Sequence, residues 1–106
     1  LLCAEANTSA VHRAALQSEA AVHTALTNLF SGRPARGIVN RVMRELGPIS
    51  PLAPAFPLAG TAITPLRGAA EKRDSGDFSP LWAGQNVQGC RAVSALELTE
   101  GLMPAD

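Results

Sequence analysis

Two short stretches of this chain hold residue types that can do chemistry together. The first is Phe30-Ser31-Gly32-Arg33-Pro34-Ala35-Arg36-Gly37-Ile38-Val39-Asn40-Arg41. Arg33, Arg36 and Arg41 lie within about two helical turns' reach of one another, which makes them a candidate basic site. The plainer reading is a helix punctuation with solvated arginines. The second is Leu81-Trp82-Ala83-Gly84-Gln85. Gln85 offers both a donor and acceptors. Gly84, taken as part of an early helical turn, costs about 1 kcal/mol relative to alanine, so a close approach can justify it. Its plainer reading is tight helix packing, with Trp82 as the main apolar anchor.

Other reactive side chains form no constellation. His12, His23, Cys3 and Cys90 have no metal-ligand spacing. There is no GxGxxG or Walker-type loop and no paired-carboxylate motif. No catalytic residue and no metal ligand are therefore assigned. His12 is expected to be solvated on a surface helix. Cys3 and Cys90 can pair in principle, but two free thiols in a reducing cytoplasm are expected.

Composition sets the frame for these stretches. At 106 residues the chain is one domain at most, or part of one. Much of its apolar content is alanine, and its aromatics are Phe30, Phe56, Phe78 and Trp82. Alanine buries little area, so a large independent core is not expected at ~25 cal/mol per Å². Nine basic residues balance nine acidic ones, which leaves no net field to favour nucleic acid or an anionic membrane. No run approaches the roughly 20 apolar residues of a membrane span. The opening Leu1, with a strand-like Leu1-Leu2-Cys3, reads as a chain cut from something longer.

The elements that would position the two stretches follow from periodicity and punctuation. Thr8 or Ser9 caps a helix from about 9 to 19. Residues 20–30 are ambiguous between a continued helix and an extended segment at Thr24-Ala25-Leu26-Thr27. Gly32 is suited to positive φ, Pro34 fixes φ near −65°, and the corner opens into a helix from about Arg36 to Leu46. Gly47-Pro48 stops that helix. Pro48, Pro51, Pro54 and Pro57 make residues 47–60 a loop. Their spacing formally permits a PxxP ligand, whereas Ile49, Leu52, Phe56 and Leu58 look like anchors to the chain's own body. Thr61 or Thr64 caps a helix to about Arg73. Ser79-Pro80 reads as N-cap and N1 of another helix, and Ser94-Ala95-Leu96-Glu97 as a capping box for a last one.

Phe-Ser-Gly-Arg-Pro-Ala-Arg-Gly-Ile, then Phe56-Pro57-Leu58, Pro65-Leu66-Arg67 and Leu81-Trp82-Ala83-Gly84-Gln85, together resemble the C-terminal part of nitronate monooxygenases. These are FMN-dependent flavoproteins, formerly called 2-nitropropane dioxygenases. The resemblance implies the C-terminal segment of a (β/α)8 barrel with an added helical region, mostly α as it stands. Residues 1–20 would supply the end of the last barrel strand and its helix. Residues 21–106 would form the helical, substrate-side region of the same parent domain. It tips 23–28 toward an extended segment. In this family, and in related flavin-dependent enoyl reductases, an Ala-Gly-Gln near this point lies close to the flavin-side pocket. That makes Ala83, Gly84 and Gln85 the cofactor-binding candidates, ahead of the arginines, which would tie their corner to the barrel. The family's histidine base and phosphate-binding loops would lie upstream of Leu1. Relatives commonly carry a tyrosine where this chain has Phe56.

The expected activity is oxidation of alkyl nitronates with O₂ to a carbonyl compound and nitrite, with the segment by itself inactive. Two alternatives stand beside it: a small helical interaction module, and a segment of an enoyl reductase.

Overall fold

The computed structural model describes residues 1–105. Its elements in order are α1 (Ala10–Leu16), a 3-10 turn (Glu19–Val22), β1 (Thr24–Thr27), β2 (Ala35–Ile38), α2 (Arg41–Leu46), α3 (Leu58–Glu71) and α4 (Ala95–Leu102). Helices are the longer elements, and the strands form one two-stranded antiparallel sheet.

Local chemistry explains where most elements begin and end. The Ser9 hydroxyl accepts from the His12 amide and starts α1. The Ser18 hydroxyl donates to the Ala15 carbonyl at 2.7 Å, competing for a terminal helix acceptor. The chain then tightens into the 3-10 turn instead of continuing to residue 19. Gly47 closes α2, its amide donating to the Met43 carbonyl. Asp74, at φ 56°, turns the chain left-handed after α3, a conformation aspartate tolerates better than most residues. Ser94 accepts from the Glu97 amide and caps α4, as expected from the sequence. The Glu5 carboxylate also accepts from the Ala95 amide, at 3.0 Å, where the positive end of α4 favours an anion.

Three expected elements differ. The chain from Arg36 is not helical: residues 35–38 are β2, in register with β1 through Thr24↔Ile38, Ala25↔Gly37, Leu26↔Arg36 and Thr27↔Ala35. The Gly-Arg-Pro corner therefore joins two strands, and α2 begins only at Arg41. Pairing wins because β2 is bonded on both edges: to β1 on one side, and through the Ile38 amide to the Leu81 carbonyl at 2.8 Å on the other. Residues 81–83 pair along that other edge of β2, with Trp82 bridging to Gly37, while Ser79 closes a turn through its amide to the Gly76 carbonyl. Ser79 and Pro80 do not begin a helix. α3 starts at Leu58, ahead of both threonines proposed as its cap, so Pro65 falls inside the helix.

The core has two centres on either side of the sheet region. Leu2, Leu16, Ala21, Ile38 and Leu81 form one, and Leu29, Phe30, Val42 and Met43 the other. Trp82 packs against the second, its ring edge-on to Phe30 with centroids 5.6 Å apart. Around these centres the chain is extended rather than round. Its radius of gyration is 15.1 Å, against about 13 Å for a compact domain of this length. α4 buries none of its residues. Among the described residues no helix is long and apolar enough to cross a membrane.

Candidate functional site

Strand β2 brings the two chemically interesting stretches side by side. On its outer edge the Ile38 amide donates to the Leu81 carbonyl, and the Ala83 amide donates to the Arg36 carbonyl at 3.2 Å. Gly37 permits this approach, since a β-carbon there would sit 3.1 Å from the Leu81 carbonyl oxygen. The glycine of the corner thus serves the second stretch, which is why both carry so much of the pattern.

Upstream of this pairing the segment is anchored by polar side chains. Ser79 is buried at 2% exposure. Its hydroxyl donates to Glu71 Oε1 at 2.6 Å, and its carbonyl accepts from Asn40 Nδ2 at 2.8 Å. Asn40 Nδ2 also reaches the Gly76 carbonyl, while its Oδ1 is buried without a protein partner. Arg67 Nε donates to the same Glu71 oxygen at 2.8 Å. The Ser79 hydrogen bond and then the Arg67 guanidinium hold the Glu71 carboxyl below its ordinary range.

His12 is the main correction at this site. It is buried at 8% exposure, not solvated, and its Nε2 lies 2.8 Å from the Trp82 carbonyl oxygen. The available signal was its spacing: His12 and Leu16 share one helix face, and both are buried. Arg13 also does more than its position suggested. It donates to the carbonyls of Leu2, Cys3, Ala6 and Thr8 at 2.6–3.2 Å, gathering the N-terminal segment around α1.

Beyond Ala83 the restraints stop. Ala83 is half-buried, whereas Gly84 and Gln85 are exposed. Gly84 is not in a helix, has no positive φ, and would place a β-carbon in open space. The close approach expected there is not made by any atom of the described residues. Gly84 and Gln85 instead present an exposed stretch of backbone with one side-chain amide, while the Ala83 N–H is taken by the Arg36 carbonyl.

The arginines of the corner are engaged locally. Arg33 stacks on the Phe56 ring at 4.4 Å, Arg36 Nη1 donates to Thr24 Oγ1 at 3.1 Å, and Arg41 pairs with Glu45 at 3.1 Å. They point to three different partners and form no common anion site. His23 is exposed, and Cys3 and Cys90 are free thiols. Among the described residues no three acids, histidines or cysteines are grouped for a metal ion. A separate apolar groove of about 370 Å³ lies between α2, α3 and residues 50–54, lined by Leu29, Val42, Leu52 and Ile63 among others. None of Ala83, Gly84 and Gln85 lines it.

Comparison with known proteins gives this arrangement a setting. The family model described as nitronate monooxygenase matches residues 1–105. The chain belongs to the nitronate monooxygenase family. It is 38% identical over 104 residues to the nitronate monooxygenase of Pseudomonas aeruginosa, an alignment covering 97% of this chain and 30% of that protein. It is 33% identical to a probable nitronate monooxygenase of Bacillus subtilis, over all of this chain and 31% of that one. A solved structure of nitroalkane oxidase from Streptomyces ansochromogenes superposes with a TM-score of 0.82 at 38% identity, covering 93% of this chain and 28% of that one. The chain thus spans about 30% of the length of the curated relatives it matches.

Proposed function

We propose that this nitronate monooxygenase segment works as the C-terminal part of an FMN-dependent enzyme that oxidises alkyl nitronates with O₂ to a carbonyl compound and nitrite. Its parent fold is a (β/α)8 barrel, with residues 1–20 ending the last barrel strand and adding its helix, and residues 21–106 forming the helical, substrate-side region. In such barrels cofactors sit at the C-terminal ends of the strands.

The observation that carries the reading toward a site is the edge at Ala83, Gly84 and Gln85. A glycine usually marks a turn, a positive φ or a crowded backbone. Gly84 meets none of these needs within its own chain, yet the strand leading to it is held by a row of hydrogen bonds. An edge that is held firmly behind and open in front suits the flat side of a flavin. Its donors fit: exposed backbone N–H groups and the Gln85 amide can meet ring nitrogens and oxygens. No phosphate cradle is assigned to this chain, so that contact and the proton-abstracting histidine belong to the rest of the family's chain. FMN, when bound, supplies the redox chemistry between nitronate and O₂. This chain's part is to position the ring edge.

The test is oxygen uptake by the enzyme carrying this segment, with nitrite release on adding an alkyl nitronate. A yellow preparation that consumes oxygen with nitronate supports the proposal. Reduction of an enoyl thioester by a nicotinamide, without nitronate oxidation, would replace it with the reductase reading. A yellow, oxygen-consuming preparation of these 106 residues alone would overturn the assignment of the missing parts to the rest of the family's chain.

A further inference from the structure

The peptide unit joining Trp82 to Ala83 is gripped at both ends. Its N–H donates to the Arg36 carbonyl on β2 at 3.2 Å. Its carbonyl oxygen lies 2.8 Å from His12 Nε2 on α1. In an antiparallel pair, successive residues direct their polar groups to opposite edges. Leu81 and Ala83 turn theirs toward β2, so the Trp82 carbonyl faces away from it, where His12 meets it. A carbonyl only accepts, so the imidazole donates and carries a proton on Nε2. The ring is buried, and its backbone is fixed at the start of α1 by the Ser9 cap.

A peptide unit is planar, so contacts at its two ends set the orientation of the whole plane. The next residues have no comparable ties. Gly84, Gln85 and Asn86 are exposed, and the bond near them is local, from the Gln88 amide to Asn86 Oδ1. The direction in which Gly84 and Gln85 leave the body of the chain is therefore set at Trp82 and Ala83. β2 supplies one half of that grip through its backbone, which comes close because Gly37 carries no β-carbon. The other half depends on one side chain.

We infer that His12 is a positioning residue: its Nε2–H holds the Trp82–Ala83 peptide plane so that the Gly84-Gln85 edge faces the flavin. This rests on the flavin-side reading of Ala83, Gly84 and Gln85. His12 itself touches neither flavin nor substrate. Its position has two requirements: a donor, and enough reach to cross from α1 to Trp82. Glutamine meets both; asparagine is too short and leucine has no donor.

The experiment compares His12→Gln, His12→Asn and His12→Leu in the enzyme carrying this segment. Amide hydrogen exchange at Ala83, whose N–H is bonded to the Arg36 carbonyl, is read on the flavin-free protein, and the FMN dissociation constant and flavin absorption band on titration. The expected result is exchange at least tenfold faster and an FMN dissociation constant at least fivefold higher in His12→Asn and His12→Leu. The flavin band shifts in both, and His12→Gln returns all three readouts near the parent values. If His12→Leu does not accumulate as folded protein, the Gln and Asn pair, alike in polarity, carries the comparison. Exchange within twofold of the parent in His12→Asn overturns the inference, as does His12→Gln behaving like His12→Asn. Gln85→Ala separates the two claims. If it leaves FMN affinity and the flavin band unchanged, the flavin-side reading falls. If it changes them while the His12 variants do not, only the positioning role falls.

Discussion

Arg13 and Glu71 show how single charged groups organise this small body. Arg13 satisfies four carbonyls that would otherwise turn inward from the N-terminal segment without a donor. Hydrogen bonds from a charged donor are the stronger kind, and carbonyls left unpaired add a penalty. Arg13→Ala is expected to lower stability by about 3 kcal/mol in urea unfolding. Arg13→Lys should recover only part of it, because an ammonium lacks the planar fork that spans several carbonyls. Glu71 gives a dependence on pH. Its folded-state carboxyl is held below the ordinary value of 4.5 by Ser79 and Arg67. A depressed acid contributes stability that is present above its unfolded pKa and lost as pH falls through the folded one. Glu71→Gln is therefore expected to be less stable than the parent at neutral pH, with the gap closing as pH drops below about 4.5. Thermal unfolding at a series of pH values measures this, and a gap that stays constant down to acid pH would contradict it.

Two glycines at the element scale separate architecture from function. Gly32 has φ +91°, and a β-carbon there would lie 2.7 Å from the Pro54 carbonyl oxygen and 2.8 Å from Phe56 Cα. Backbone strain alone costs about 1–3 kcal/mol, and both obstacles are main chain. Gly32→Ala should therefore destabilise the protein strongly and loosen the 54–57 segment that packs on the corner. Gly84→Ala is the opposite case. Nothing lies within 4 Å of its β-carbon and its φ is not in the left-handed region. Its unfolding midpoint should match the parent, while FMN affinity falls at least severalfold if the methyl meets the flavin edge. Equal loss of stability in the two variants would refute the distinction. Punctuation residues made much of this scale legible: Ser9, Gly47 and Ser94 start or stop helices where their chemistry places them. Residues 35–38 and 81–83 were not legible, because each is paired with a partner distant in sequence. Helical punctuation at Ser79-Pro80 competes with that pairing and loses.

At the scale of the whole molecule, the chain leaves many large apolar side chains uncovered. Leu52 is 89% exposed, and Leu46, Ile49, Phe56, Leu58 and Leu66 are each at least half exposed; Leu46, Leu52 and Leu66 line the groove between α2 and α3. Apolar surface of that extent is unusual on a free-standing domain. The isolated 106 residues are expected to bind a hydrophobic dye and to unfold with little cooperativity. A sharp calorimetric transition with no dye binding would instead favour an independent helical module.

Family membership was legible in the residues alone, carried by the Gly-Arg-Pro corner and the Ala-Gly-Gln stretch. Both depend on local identity: a glycine where φ is positive, a rigid proline, a glycine beside an amide. So was the extended segment at 24–27, once its alternation was weighed with the resemblance. What the folded chain decided is that the corner and the stretch lie side by side along β2. Neither local propensity nor spacing records that the Arg36 carbonyl meets the Ala83 amide, or that His12, 70 positions before Trp82, donates to its carbonyl. Contacts between residues so far apart are chosen by burial and by the need to pair every inward-facing polar group, conditions that exist only once the chain has closed on itself.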